Sequence, residues 1–216
     1  MENWSKRILT PIQRDSLQAK ISHFEEITGA ELLLVICRSS DPYPAANFRA
    51  AFCISYFCAF FWATYHPNTP AINLVVYLFG FFVAGYLLSR IPFIKKIFLI
   101  TKEMEREVDE KSKELFHSMG IANTKERTAT LLLISRMENK VRLIVDSTLK
   151  EKMSDTDVAN IEALIQKKIN KRKYFLGLAT IIETLEEKYL HFFPNGCPHS
   201  SSHELKNTLM WQDYSH

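Results

Sequence analysis

Two carboxylates and one short basic, hydroxyl-rich stretch are the residues of this 216-residue chain best suited to chemistry. Asp41 lies in the polar loop Arg38-Ser39-Ser40-Asp41-Pro42-Tyr43-Pro44. Glu138 lies in the join Arg136-Met137-Glu138-Asn139 between two apolar runs. Two carboxylates with a hydroxyl beside them suit Mg²⁺ or Ca²⁺, hard ions that take oxygen ligands. Such an ion polarises a phosphoryl oxygen, so Asp41 and Glu138 are the candidate catalytic and metal-binding pair. The plainer reading has Asp41 capping the Pro-Tyr-Pro turn and Glu138 as a solvated turn residue. The basic stretch is Thr124-Lys125-Glu126-Arg127-Thr128. There Arg127 can fork onto a phosphate or carboxylate, helped by the hydroxyls of Thr124 and Thr128. Alternatively Arg127 pairs with Asp146 and closes the open end of a hairpin. Both roles are compatible.

Other clusters carry less. Cys197, His199 and His203, with His191 near, have a spacing that zinc accepts, but no fourth ligand is evident. The basic run from Lys167 to Tyr174 reads as a solvated helix end that can also face anionic lipid. No phosphate-binding glycine loop, nucleophile elbow or zinc-protease helix motif occurs.

These residues need a scaffold, and the sequence outlines one. Thr10-Pro11-Ile12-Gln13 has the cap, first-turn proline and third-position amide of a helix start. Leu17, Ile21 and Phe24 recur at helical spacing, and Gly29 can end that helix left-handed. Ala30 to Cys37 is a continuous apolar run of the buried-strand kind. A long helix is predicted from about Pro92 to Met119, with Met104, Val108, Leu115, Phe116 and Met119 as its stripe. Ala129–Ser135 and Lys140–Asp146 read as a tight hairpin of strands. A helix capped by Ser154 follows, with Ile161, Leu164, Ile165 and Ile169 on one side. Another runs from about Phe175 to Phe192, with Leu178, Ile181, Ile182, Leu185 and Tyr189 inward. The tail from residue 194 is expected to be loose, with one short helix near Glu204 to Met210. This order predicts an α/β fold, a small mixed sheet flanked by helices, whose first two strands are parallel because a long crossover joins them. Asp41 and Glu138 then share one sheet edge, and Asp146 and the Arg127 stretch the other.

The middle of the chain is different. Between Arg49 and Arg90 there is no Asp, Glu, Lys or Arg. Two apolar runs, Ala50–Tyr65 and Ala71–Leu88, flank the helix-breaking join His66-Pro67-Asn68-Thr69-Pro70. A bilayer core needs about 20 helical residues, with about 17 as the lower limit, so the second run qualifies and the first must borrow flanking residues. The join carries no Lys or Arg, whereas Arg38, Arg49, Arg90, Lys95, Lys96 and Lys102 flank the runs. By the positive-inside rule a two-helix transmembrane hairpin is expected, with both termini cytoplasmic. The segment after Leu88, with Phe93, Ile94, Ile97 and Phe98 beside Lys95 and Lys96, reads as a helix leaving the bilayer through its headgroup layer. The expected division is a discontinuous domain of residues 1–49 and 92–193, a hairpin of 50–90 and a tail of 194–216.

Composition narrows the partners. The formal net charge of +3 is too small to argue for nucleic acid and compatible with an anionic membrane surface. Cys37, Cys53, Cys58 and Cys197 have no paired spacing and read as free thiols in a reducing compartment. The first residues carry Glu2, Lys6 and Arg7 and no apolar run, so no secretory signal peptide is expected.

Thr28–Ile36, Thr124–Asp146, Phe175–Leu185 followed by His191-Phe192-Phe193-Pro194, and the late His203-Glu204-Leu205 together resemble the TPM-domain family. The likeness is to its bacterial inner-membrane branch, which has a transmembrane hairpin inserted after the first strand. Thr124, Arg127, Thr128, Glu138 and Asp146 match the family position by position, whereas Ala129 stands where the family usually has glycine. The resemblance implies a TPM-like sandwich and one of two roles: assisting membrane protein complexes, or a metal-dependent acid-phosphatase-like activity. The expected partners are the lipid bilayer and other membrane proteins. The leading expectation is an interaction or assembly factor in a bacterial inner membrane, and the alternative is a membrane-bound phosphatase.

Overall fold

The computed structural model describes residues 8–121, 127–169, 174–197 and 209–212. The chain divides into two compact units, residues 1–41 with 105–216, and residues 42–104.

In the first unit, helix α1 (Pro11–Thr28) leads to strand β1 (Glu31–Cys37). The predicted capping box forms, with Gln13 N–H donating to Thr10 Oγ1 and Thr10 N–H donating to Gln13 Oε1. Gly29 closes the helix at φ 71°, a left-handed conformation that glycine adopts without steric cost. A Cβ there would also meet the carbonyl oxygen of Cys197 at 2.7 Å. β2 (Ala129–Ser135) pairs parallel with β1, and β3 (Lys140–Val145) pairs antiparallel with β2. Downstream come a short α6 (Ser147–Lys150), α7 (Asp155–Lys168) and α8 (Tyr174–Phe192).

The last strand corrects the expected tail. Residues 209–212 form β4 (Leu209–Gln212), parallel to β1, and Met210 lies within that strand, not in a helix. The sheet order is β3-β2-β1-β4. A four-residue strand has little local signal of its own, because the free edge of β1 selects it.

The sheet is covered on both faces. Leu32, Leu34, Ile36, Leu132 and Ile134 pack with Leu17, Phe24, Ile161, Ile182 and Tyr189, so α1, α7 and α8 cover one side. Leu33, Val35, Leu131 and Leu133 pack with Val108, Leu115 and Phe116 of α5 (Thr101–Ser118) on the other. This double burial is why Leu32–Cys37 of β1 and Leu131–Ile134 of β2 are unbroken apolar runs. β3 alternates, with Val141, Leu143 and Val145 buried and the residues between them half-buried. Ile161 and Ile165 face the core as expected, but Leu164 is exposed, one position off the buried stripe.

The second unit is a helical hairpin. α2 (Pro44–Tyr65) and α3 (Ala71–Leu88) meet across small residues, with Ala51, Ser55 and Ala59 buried on one helix and Gly85 on the other. A Cβ on Gly85 would lie 3.1 Å from Ala51 Cα and from Ile54 Cβ. Ser55 donates its hydroxyl to Leu78 O at 2.7 Å, and Phe52–Phe82 and Trp62–Tyr77 pair across the seam. Among the described residues only Ala71–Leu88 is long and apolar enough to cross a membrane by length and composition, and little of it is buried. α2 falls short because Asn47 and Arg49 interrupt its apolar run.

The long helix expected from Pro92 to Met119 is broken. α4 (Pro92–Ile97) ends with Phe98 as its cap, and a fresh helix begins at Thr101. The break falls where apolar Ile97–Ile100 gives way to charged residues, and Glu103 sits in the first turn of α5, a favoured place for negative charge. Gly120, at φ 70°, follows the end of α5.

Candidate functional site

The parallel register that sets Cys37 against Ser135 also sets the two following loops side by side. Arg136 N–H donates to Cys37 O at 3.1 Å and Met137 N–H to Arg38 O at 3.0 Å. Asn139 takes a left-handed φ of 56°, which turns the chain back into β3. Glu138 is thereby folded inward and only 5 % exposed, so it is not a solvated turn residue. Its Oε1 accepts from Ser40 N–H at 2.8 Å and lies 3.3 Å from Ser39 Oγ. Its Oε2 accepts from the Ser135 hydroxyl. Ser39 Oγ also lies 2.7 Å from the Asp41 carbonyl oxygen, which draws Asp41 to the same edge. Asp41 itself is half-buried.

Cys37 completes this edge. Burial pushes its thiol up to about 11, the Glu138 charge adds to the rise, and the Ser135 hydroxyl opposes it. A thiol held neutral is a packing group, not a nucleophile.

Both Glu138 oxygens already serve protein donors, the Ser40 N–H and the Ser135 hydroxyl. Among the described residues no group of three or more His, Cys, Asp or Glu side chains could hold a metal. The pattern is that of a strut: one buried carboxylate ties the exit of β1 to the β2–β3 turn.

The opposite edge carries the second candidate group. Thr124 lies outside the described residues. Arg127 is exposed at φ 49°, and Thr128 is buried. The expected Arg127–Asp146 pair is not formed. Asp146 instead caps α6, its Oδ1 accepting from Ser147 N–H at 2.6 Å, and it is 5 % exposed. Its other oxygen, Oδ2, is buried without a hydrogen-bond partner. An unpaired buried acceptor costs about 1–3 kcal/mol, so Asp146 is primed to take a donor.

Asp146 lines a cavity of about 690 Å³ that sequence reasoning missed. The cavity runs along the outer edge of β3, with Lys113 and His117 from α5, Arg142 from β3 and Lys150 from α6. Arg142 is held by Glu162 at 2.8 Å and by Asp109 at 3.4 Å, and Lys113 by Asp109 at 2.7 Å. The edge strand above it is blocked by side chains: Val141 N–H donates to Gln166 Oε1 and Leu143 N–H to Glu162 Oε2. These contacts join α5, β3 and α7 across long sequence distances, and no local motif announces them.

Of the zinc candidate, only Cys197 and His191 lie among the described residues. Cys197 is buried, its N–H donates to Thr28 O at 2.7 Å, and burial pushes its thiol up to about 11. His191 is exposed, and His199 and His203 lie outside the described residues. Of the basic run, Lys167 and Lys168 form the exposed last turn of α7, and residues 170–173 lie outside the described residues.

With the geometry in place, comparisons add a family match over part of the chain and a likeness of fold. Residues 95–188 match the model of the TPM domain. That stretch contains Glu138, Asp146 and the whole of the cavity lining, and leaves Asp41 outside. The NMR structure of BA42 protein from the psychrophilic bacterium Bizionia argentinensis superposes with a TM-score of 0.56 at 14 % identity. The superposition covers 98 % of each chain, and at that identity the likeness is one of fold. No curated protein matches this chain in sequence.

Proposed function

We propose that the protein is a bilayer-anchored TPM-like module that assists other membrane proteins by binding them. The hairpin of α2 and α3 anchors it in a bacterial inner membrane, with the α/β unit in the cytoplasm. One observation carries this reading. α3 is an uncharged helix of 18 residues, and Gly85 is its one buried residue. Around the hairpin, Phe52, Tyr56, Phe60, Ile72, Val75 and Phe79 are exposed. A soluble monomer rarely leaves so large an apolar surface uncovered, whereas lipid covers it without cost. α2 reaches the needed length by placing Phe48 and Arg49 at the interface, where aromatic and basic side chains are favoured.

Alkaline carbonate extraction of cells expressing the full chain tests the anchor. The protein stays in the membrane pellet if the hairpin is inserted. Its release into the supernatant would sink the reading.

A second reading, the phosphatase-like role, is favoured by Asp146. Its buried Oδ2 shares a cavity with Arg142, Lys113 and Lys150 and with the acids Asp109, Asp155 and Glu162, and the cavity is large enough for a phosphorylated small molecule. Thermal unfolding of the detergent-purified chain decides between the two. A ligand that binds only the folded state raises stability by about 2.7 kcal/mol at a hundredfold excess over Kd. The binding module shows no upward shift with Mg²⁺, Ca²⁺ or inorganic phosphate. A shift lost in Asp146→Asn would establish the second reading, and one lost in Asp41→Asn would restore the Asp41–Glu138 site.

A further inference from the structure

The chain's positive charge is concentrated in the hairpin unit. Residues 42–104 hold five cations, Arg49, Arg90, Lys95, Lys96 and Lys102, against one acid, Glu103, a net of +4. The whole chain is +3, so the other unit is −1. Arg49 is neutralised by Glu103 at 2.5 Å, which leaves the excess on the stretch from Arg90 to Lys102.

That stretch is built to lie across a boundary. Turns at Arg90 and Ile91 end α3, and Pro92 starts α4 in a new helix. Six residues span about 9 Å, too little to re-enter a bilayer core. Lys95 Nζ donates to Pro42 O at 2.8 Å and ties α4 to the base of α2. Phe93, at 77 % exposed, and Ile97, at 65 %, stand out from it with Ile91 and Ile100. Lys96 and Lys102 are exposed beside them. Apolar side chains with neighbouring lysines directly after an apolar hairpin fit a surface that is greasy below and negative above.

We infer that Arg90–Lys102 is a docking surface for the anionic leaflet of the bilayer: Phe93 and Ile97 enter the acyl boundary, and Arg90, Lys96 and Lys102 bind phospholipid phosphates. The inference rests on the membrane-anchored reading and adds the lipid class.

The test uses the full chain carrying Phe93→Cys with Cys53→Ala and Cys58→Ala. Cys37 and Cys197 are buried, so a thiol-reactive bimane labels residue 93. The labelled chain is reconstituted into nanodiscs of phosphatidylcholine alone, or of phosphatidylcholine with phosphatidylglycerol, each containing brominated acyl chains. Quenching should be about twofold stronger with phosphatidylglycerol, and high salt should remove the difference. Lys96→Gln with Lys102→Gln should remove it at low salt; Lys95 is kept because it holds Pro42. Quenching indifferent to phosphatidylglycerol, or unchanged in the double variant, overturns the inference while leaving the anchor intact. A chain that never enters the nanodiscs overturns both.

Discussion

Glu138 shows how far a side chain can depart from its local sequence. In a four-residue join between strands an acidic residue is ordinarily solvated. Here its partners, Ser39 and Ser40, lie 99 and 98 positions away, so nothing near it in sequence marks it as buried. Glu138→Ala would strand the Ser40 N–H and two hydroxyls, and unfolding in urea should show a loss of about 2–4 kcal/mol. Glu138→Gln keeps one acceptor and should lose less. A Glu138→Ala chain as stable as wild type would contradict the strut. Cys37 gives a pH prediction. Its folded thiol titrates near 11 against 9.0 for an unperturbed one, so the folded state holds the proton more tightly. The stabilisation is complete below pH 9 and is lost as pH rises through about 11. Cys37→Ala should fall less steeply over that window, whatever its stability at neutral pH. What was legible at this scale was chemical type: Glu138 and Asp41 share an edge, and Asp146 and Arg127 share the other. Which atoms are satisfied was not legible, because hydrogen bonds between distant loops decide it.

Elements were far more legible than contacts. The capping boxes at Thr10 and Ser154, the Gly29 stop, and the apolar runs of β1 and β2 are short-range signals, and each formed as written. Failures came where tertiary context decides: the break after α4, the exposure of Leu164, and β4, recruited by a neighbouring edge. Two glycines test the packing. Gly29→Ala adds a Cβ at positive φ and against Cys197 O, and should cost about 2 kcal/mol or more in thermal or urea unfolding. Gly85→Leu should pry α3 from α2 at the Ala51 contact, readable as a lost disulfide cross-link between cysteines placed at facing seam positions. An unaltered cross-link would contradict the small-residue seam.

At the scale of the whole molecule, two kinds of sequence are interleaved. The α/β unit is built from residues on either side of an insertion, and β1 pairs with β2 although about 90 residues separate them. If the insertion enters a bilayer, as proposed, it must leave and return on one side, because a single crossing would put the two halves of the sheet in different compartments. That necessity makes topology the most direct test of the account. A reporter active only outside the cytoplasm, placed in His66–Pro70, should be active, and the same reporter after His216 should be silent. An active reporter after His216, or silence at both sites, would contradict a hairpin-anchored cytoplasmic module.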